Sequence, residues 1–481
     1  MQYHSTRGGA AEANSAQAVL LGLAEDGGLY LPKTFPELDW RRCIGVDTLT
    51  MAEKILSAFL PDIPNMQELV TRAYSGKFET EDLTPTVKTD RFTVLELFRG
   101  PTSAFKDVAL SMLPQLMTAA KTEAGMQEDI LILTATSGDT GKAALAGFQD
   151  VPGIRICVFY PDGGVSDVQR RQMVSQEGNN VTVCAVRGNF DDAQTGVKNI
   201  FAACQGKELP FALSSANSIN IGRLVPQITY YFKAYSDLVV SGQIDLGDPV
   251  NFSVPTGNFG DILAGFLAKK LGLPVGKLIC ASNANNVLTD FIRTGTYDRR
   301  RPLYKTTSPS MDILVSSNLE RLLYLLSGDT ALVAELMAKL NTQGYYTVPA
   351  DLLEKVQQIF WAGYSDDARG ADTIRRVWQE QGYLCDPHTA SGWAVAEDYV
   401  NQTGDNRPMV VLSTASPYKF PAAVLSAIGG DTAGDEFAQM ERLEAVTGVK
   451  IPENLSGLRQ KPERHTGVID KEDMLTFVLK L

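Results

Sequence analysis

The chain has 481 residues, 44% of them hydrophobic and 21% charged, and a formal net charge of −12 at pH 7. That length exceeds a single simple core and predicts two or three domains, while the composition is that of an ordinary water-soluble protein. The acidic balance excludes a nucleic-acid or anionic-membrane surface as the main partner, but not a small anion held by a few local cations and backbone N–H groups.

The six cysteines, at 43, 157, 184, 204, 280 and 385, have neither metal-knuckle nor redox-motif spacing. Cys157, Cys184 and Cys280 sit in apolar runs and read as core thiols, so a reducing compartment is expected. The first eight residues are polar and lack the apolar region of a signal peptide. No run approaches the roughly 20 apolar residues needed to span a bilayer. The expectation is a cytoplasmic protein.

Residues 1–91 carry helical patterns, as at 51–60 and 65–74, broken by Asp26-Gly27-Gly28 and by prolines. They read as a mostly helical N-terminal region, with one polar and cationic cluster, Ser5-Thr6-Arg7-Gly8, that is either a loop end or functional. From about 92 onward, short apolar runs alternate with helical ones. Strands are predicted at 92–97, 129–135, 154–160, 180–186, 250–254, 277–281 and 409–412. The helices between them include 167–177, ended by Gly178, and 261–271, ended by Gly272. This alternation predicts parallel sheet covered on both faces. Residues 316–402 are dominated by helical patterns and lack obvious strands.

The first of these strands runs into Phe98-Arg-Gly-Pro-Thr-Ser-Ala-Phe-Lys-Asp107. A helical pattern starts near Phe105, with Ser103 as its expected N-cap. Lys106 then falls in the first turn, where the positive end of the helix dipole disfavours a cation. The neutral amine, the form that attacks a carbonyl, becomes less costly there.

Three more predicted strands run into loops rich in Gly, Ser, Thr or Asn and then into helices, at 134–142, 255–261 and 413–417. Each alone is an ordinary strand-to-helix turn. In a parallel sheet, however, all such loops emerge at the carboxyl ends of strands, where ligands bind. Gly138-Asp-Thr-Gly-Lys142 resembles part of a P-loop, but that motif needs Gly at 136 and Ser or Thr at 143, where Thr136 and Ala143 stand. The dinucleotide fingerprint is absent too. Gly257-Asn258-Phe259-Gly260 can still offer N–H groups to a phosphate monoester. A reactive lysine, a phosphate cradle and no nucleotide motif point to pyridoxal 5′-phosphate held as a Schiff base.

These residues, in this order, resemble the threonine synthases, pyridoxal-phosphate enzymes of fold type II, over nearly the whole chain. The matching segments are Tyr3-His-Ser-Thr-Arg-Gly8, residues 22–30, 98–107 and Thr136-Ser-Gly-Asp-Thr-Gly141. Ala216-Asn-Ser-Ile-Asn-Ile-Gly-Arg223, residues 255–261, Ser310-Met-Asp-Ile313, Asp386-Pro-His-Thr389 and Thr414-Ala-Ser-Pro417 complete them. The aspartate in Ser-Gly-Asp-Thr-Gly is similar to the longer bacterial and fungal branch.

The resemblance implies an α/β fold of two parallel-rich open-sheet domains flanking the cofactor, plus the N-terminal region. The large domain would comprise 92–128 and 236–481, with a helical insertion at about 316–402, and the small one 129–235. It implies conversion of O-phospho-L-homoserine and water to L-threonine and phosphate, by γ-elimination and β-addition of water. Lys106 would hold the cofactor and then move protons between substrate carbons. Gly257, Asn258, Phe259 and Gly260 would bind the cofactor phosphate, and Thr414 would offer a hydroxyl to the pyridine nitrogen. Thr136, Ser137, Asp139 and Thr140 would meet the substrate carboxylate and the cofactor ring. Asn217, Ser218 and Arg223 would bind the substrate phosphate, although Arg223 could equally pair with a surface acid. His388 lies in a recurrent family motif, as an N-cap or packing residue rather than a catalytic one. Many relatives have His where Ser416 stands and a smaller residue at Tyr418, so the cofactor surroundings there can differ. A phospholyase giving 2-oxobutyrate from the same substrate, and a non-catalytic pyridoxal-phosphate-binding homologue, are the alternatives. Monomer and homodimer are both compatible with the sequence; no metal, nucleic acid or membrane is implied.

Overall fold

Strands that are apolar on both faces need cover on both sides, and two sheets dominated by parallel strands meet that need. The computed structural model describes residues 1–136, 138–204, 206–207 and 209–481, and at Asp191 the backbone alone. The larger sheet orders its strands Phe360–Tyr364, Val275–Ser282, Val250–Pro255, Met409–Ser413, Thr93–Glu96 and Thr86–Lys88. All neighbours are parallel except the last pair. The smaller sheet runs Val468–Asp470, Val181–Arg187, Ile154–Pro161, Asp129–Ala135 and Phe211–Ser214, parallel throughout. Register pairs Ser253 with Ile279 and Val411 in the first, and Ile132 with Ile156 and Ser214 in the second.

Alternation along the strands sorts the side chains between faces. Phe252, Val254, Leu278, Cys280, Val410 and Leu412 of the larger sheet pack into a central core. Ile130, Ile132, Ile156 and Val158 of the smaller sheet belong to that same core. The opposite face of the larger sheet, with Ile279, Ala281 and Val411, packs under the helix Pro387–Thr403. The opposite face of the smaller sheet, with Leu131, Cys157 and Phe159, packs under Phe190–Cys204. The two sheets therefore share one core and hold their own outer layers. Cys157, Cys184 and Cys280 are buried free thiols, as their apolar context requires.

Each predicted strand is present, and others emerge, among them Thr86–Lys88 of the larger sheet and a separate antiparallel pair, Thr296–Asp298 with Tyr345–Thr347, the second of which lies inside 316–402. Phe360–Tyr364 lies inside 316–402, where the sequence pattern shows no strand, and forms the edge of the larger sheet. The helix Ala350–Ile359 runs straight into it, so its apolar residues read as a continuation of the helical pattern. Val468–Asp470 joins the smaller sheet although the sequence division puts 236–481 with the large domain; three partly or fully exposed residues carry no periodic signal. Phe211–Ser214 is hidden for the same reason of length. The N-terminal region has the helices Ser15–Leu21, Thr48–Phe59 and Met66–Tyr74, together with a three-stranded antiparallel sheet of Ala13–Asn14, Gln2–Ser5 and Tyr30–Pro32.

The helix Lys106–Glu123 crosses Asp139–Phe148 at a point where only glycine fits. A Cβ on Gly147 would overlap the Leu110 carbonyl oxygen. Backbone cannot move aside as a flexible side chain can, so the extra methyl must push the two helices apart. Gly147→Ala is expected to cost about 1–3 kcal/mol, read by urea denaturation; unchanged stability would disprove this account of the crossing.

Candidate active site

Four strand ends converge. Thr93–Glu96 leads to Lys106, Asp129–Ala135 to Asp139, Val250–Pro255 to Gly260 and Met409–Ser413 to Pro417. The first and last are laced together by backbone: Leu97 N–H donates to Ser413 O (2.9 Å), Phe105 N–H to Thr414 O (2.8 Å) and Ser416 N–H to Ser103 O (3.1 Å). Ser103 is not the N-cap that the sequence predicts. Its backbone is left-handed (φ 59°) and its hydroxyl donates to Asn454 Oδ1 at 2.9 Å. Asp107 serves the turn instead, accepting from Thr102 N–H (2.9 Å) and Thr102 Oγ1 (2.5 Å). Lys106 is nevertheless the first residue of its helix, as expected.

Lys106 is 7% exposed. Nζ donates to Ser310 Oγ at 3.2 Å, stands 3.9 Å from Asp139 Oδ2 and lies 4.6 Å from the centre of the Phe105 ring. Burial lowers its pKa to about 8, against the pull of Asp139 and with help from Arg223 and Lys419. The neutral amine is thereby accessible near neutral pH. Asp139 opens the next helix after Gly138, whose φ of 136° is open chiefly to glycine. Burial alone would push this carboxyl up; Lys419 and Lys106, with a hydrogen bond from Gln169 (2.9 Å), pull it well below the usual range.

At 257–260 the loop forms a cradle. A Cβ on Gly257 would come 2.5 Å from Ser310 O, and Phe259 is held left-handed (φ 64°). That conformation costs a non-glycine residue about 1–2 kcal/mol, and the buried ring packed on Phe360 (5.5 Å between centres) retains it. Asn318 N–H donates to Asn258 O at 3.0 Å and Ser316 Oγ to Gly257 O at 2.8 Å, so the carbonyls turn outward. Among the described residues, the N–H groups of Gly257, Asn258, Phe259 and Gly260 donate to no protein acceptor. They open the helix Gly260–Lys270, whose dipole favours an anion there. These donors fit the phosphate of pyridoxal phosphate. Thr414 is 4% exposed, and its hydroxyl makes no hydrogen bond among the described residues.

A second group of donors adjoins the first. Arg223, 5% exposed on the short helix Ile221–Leu224, donates through NH1 to Ala216 O at 2.7 Å. Among the described residues it pairs with no carboxylate, which removes the surface-acid reading. Burial lowers its pKa to about 10, and the guanidinium stays charged at neutral pH. A Cβ on Gly260 would lie 3.7 Å from Ser218 Cβ, so the two donor groups are neighbours. Asn217 and Ser218 are half-buried. Thr136 Oγ1 accepts from Gly138 N–H and Gly141 N–H, both at 2.9 Å, and so shapes its own loop. Thr140 is half-buried beside it, and Ser137 lies outside the described residues.

Sequence reasoning missed three residues at the centre. Lys419 is fully buried and meets Asp139 Oδ1 at 2.5 Å; Gln169 meets the same oxygen; Ser310 joins Lys106 to Asp139, donating to Oδ2 at 3.4 Å. Lys419 and Gln169 have no local signature, since buried side chains of these types read like surface ones, and Ser310 stands in the matching segment 310–313 without a role that the sequence assigns. His388 holds Ser310 in place: Nε2 accepts from Ser310 N–H (3.1 Å), while Nδ1 lies 2.6 Å from Asp386 Oδ2. Asp386 is the N-cap of the helix Pro387–Thr403, which makes His388 a support and not a reacting group. Ser416 caps its own turn, accepting from Tyr418 N–H at 3.3 Å.

The chain is similar to known proteins over most of its length. The family described as "Pyridoxal-phosphate dependent enzyme" matches residues 78–415, flanked by "Threonine synthase N terminus" at 2–74 and "Threonine synthase, C-terminal" at 389–478. Threonine synthase of Pseudomonas aeruginosa is 40% identical over 435 residues, covering 88% of this chain and 90% of that one. "Threonine synthase-like 1" of Homo sapiens is 40% identical over 86% of this chain, which spans 58% of its length. The crystal structure of pyridoxal-phosphate-bound threonine synthase from Brucella melitensis has a TM-score of 0.88 at 40% identity, covering 100% of this chain and 98% of that one. The fold is that of the fold-type II pyridoxal-phosphate-dependent enzymes. Within that class the chain belongs to the threonine synthase family.

Because a Cβ at 257 meets backbone, Gly257→Ala should distort the cradle. Pyridoxal phosphate affinity, followed by absorbance titration, should fall by about tenfold or more, the worth of one to two hydrogen bonds. Wild-type affinity would exclude this loop as the phosphate site.

Proposed function

We propose that this chain is a threonine synthase, converting O-phospho-L-homoserine and water to L-threonine and phosphate. The observation that carries the reading is the pair of neighbouring anion-ready donor groups beside one buried lysine, the second built on an Arg223 without a carboxylate partner among the described residues. One group suits the cofactor phosphate; the other suits a substrate that carries its own.

Gly257, Asn258, Phe259 and Gly260 would hold the cofactor phosphate through N–H groups, and the Thr414 hydroxyl would serve the ring nitrogen. Pyridoxal phosphate held there would supply electron withdrawal from the substrate, which would allow the Cα and Cβ protons to leave, phosphate to depart from Cγ with a proton returned to that carbon, and water to add at Cβ before Cα is reprotonated. Lys106 Nζ takes the Cα proton and returns protons to carbon, a role that its lowered pKa suits. Asp139, 3.9 Å from Lys106 Nζ, would lie beside the cofactor ring. Thr136, Ser137 and Thr140 orient the substrate carboxylate; Asn217, Ser218 and Arg223 hold its phosphate, the last by charge-assisted bonds. Residues 129–235, with the strand Val468–Asp470, move as a small domain over the rest, admitting water for the addition and excluding it otherwise.

Product analysis with O-phospho-L-homoserine tests the reading: threonine and phosphate are expected in equal amounts, and 2-oxobutyrate without threonine would make the chain a phospholyase. Lys106→Ala should abolish turnover, and retained threonine formation refutes the assignment of the lysine. Arg223→Ala should raise KM for the phosphorylated substrate about 10- to 100-fold, the range for a lost hydrogen bond to a charged group, while pyridoxal phosphate affinity stays unchanged. Equal losses in both would remove Arg223 from the substrate site.

A further inference from the structure

Lys419 ends the short helical turn Pro417–Lys419, just beyond the third loop, and none of its side chain reaches solvent. An ammonium group is buried this deeply only with partners. Lys419 has two, and they come from different sheets. Nζ donates to the Thr102 carbonyl at 3.2 Å, on the turn that leads to Lys106, and meets Asp139 Oδ1 at 2.5 Å, on the helix that follows the strand Asp129–Ala135. Asp139 is thus divided. Oδ1 is taken by Lys419 and Gln169 Nε2, while Oδ2 is left to Ser310 Oγ (3.4 Å) and Lys106 (3.9 Å). The shorter and stronger contact goes to the lysine that has no place in the chemistry.

We propose that Lys419 is a positioning residue of the site: by holding Oδ1 it fixes which oxygen faces Lys106, and by answering the carboxylate's charge it stops Asp139 from acting as a full counter-ion that would lock the proton on the Lys106 amine. The other charged groups that bear on Lys106 are Asp261, which favours its proton, and Arg223, which opposes it. Those that bear on Lys419's surroundings are Asp107 on the Lys106 helix and Lys142 on the Asp139 helix. All four remain when Lys419 is replaced; Asp107 and Lys142 each lose a nearby cation, but among these groups only Asp139 is in direct contact with both Lys419 and the Ser310 hydroxyl that reaches Lys106. Without Lys419, Asp139 has only Lys106 as a cationic partner, and the amine should keep its proton to higher pH.

This inference rests on Lys106 being the reacting lysine, and the test separates the two. Full-length protein, stripped of pyridoxal phosphate and then reloaded with it, is treated with trace acetic anhydride across about pH 6 to 10, the span that brackets a lowered and an ordinary lysine. Acetylation at Lys106 is read by peptide mass mapping. Protection of Lys106 by pyridoxal phosphate reports on the lysine's role; the half-reaction pH of the stripped protein reports on Lys419. Lys419→Met should raise that pH by about one unit or more, since one charge at close range in a buried site is worth at least that. A value equal to or below wild type overturns the proposal, and a mere loss of thermal stability would not produce the shift. Should Lys419→Met fail to fold, Lys419→Gln, which removes the charge but keeps a polar end beside Asp139 and the Thr102 carbonyl, takes its place with the same expectation, and a half-reaction pH equal to or below wild type overturns the proposal.

Discussion

A charged amine can be buried only if something answers its charge, and at this site the answer comes from the other sheet. Lys106 is carried by the turn after Thr93–Glu96, whereas Asp139 heads the helix after Asp129–Ala135. Neither sheet alone makes the site. The shared core and the Gly147 contact between the two helices are what bring Asp139 to within 3.9 Å of the lysine. At that range inside a protein, attraction is strong enough to matter yet weaker than the desolvation it opposes. The balance is visible in the outcome: burial wins at Lys106, whose pKa falls, and the two cations win at Asp139, whose carboxyl stays ionised.

The same accounting distinguishes the site's cations by their partners. Lys419 is matched by a carboxylate in contact; Lys106 faces the same carboxylate at longer range; Arg223 has a carbonyl and no carboxylate among the described residues. A guanidinium cannot escape its burial by losing a proton. It keeps a charge that no carboxylate among the described residues answers, close enough to bear on Lys106, which is the condition an anionic substrate relieves on binding.

How much of this is legible in the sequence depends on whether the information is local. Strand ends running into Gly- or hydroxyl-rich turns are local, so Lys106, Gly257–Gly260 and Thr414 stand out from the residue order by itself. The strands at 129–135 and 250–254 are plain because both their faces are apolar. The pairing of Asp139 with Lys419, 280 residues apart in a chain of 481, has no local trace. Ser103 misleads because a hydroxyl near a helix start usually caps it; here a left-handed backbone turns it toward Asn454 and Asp107 takes over. Phe360–Tyr364 and Val468–Asp470 escape notice because three to five residues are too few to show a period, and only the sheet edge they join gives them their form.

The N-terminal region shows how far the site's support extends. Thr6 and Arg7 grip Glu320, with Arg7 Nε and NH2 reaching its two oxygens at 2.9 and 2.8 Å. The next residue, Arg321, is fully buried and spends its guanidinium on Tyr30 O, Asn318 Oδ1 and Ile219 O. Asn318 in turn donates to Asn258 O and, through Nδ2, to Ser218 O at 3.1 Å. One buried cation therefore ties the small N-terminal sheet to both donor groups at once. Burying it carries a desolvation cost that an apolar residue would avoid, and what it gains in exchange is orientation: three acceptors fixed by one planar fork. The Ser5-Thr6-Arg7-Gly8 cluster, ambiguous as sequence, is the outer end of that brace. Through Glu320, the neighbour of Arg321, it is joined to the Asn318 side of the cofactor cradle and Ser218.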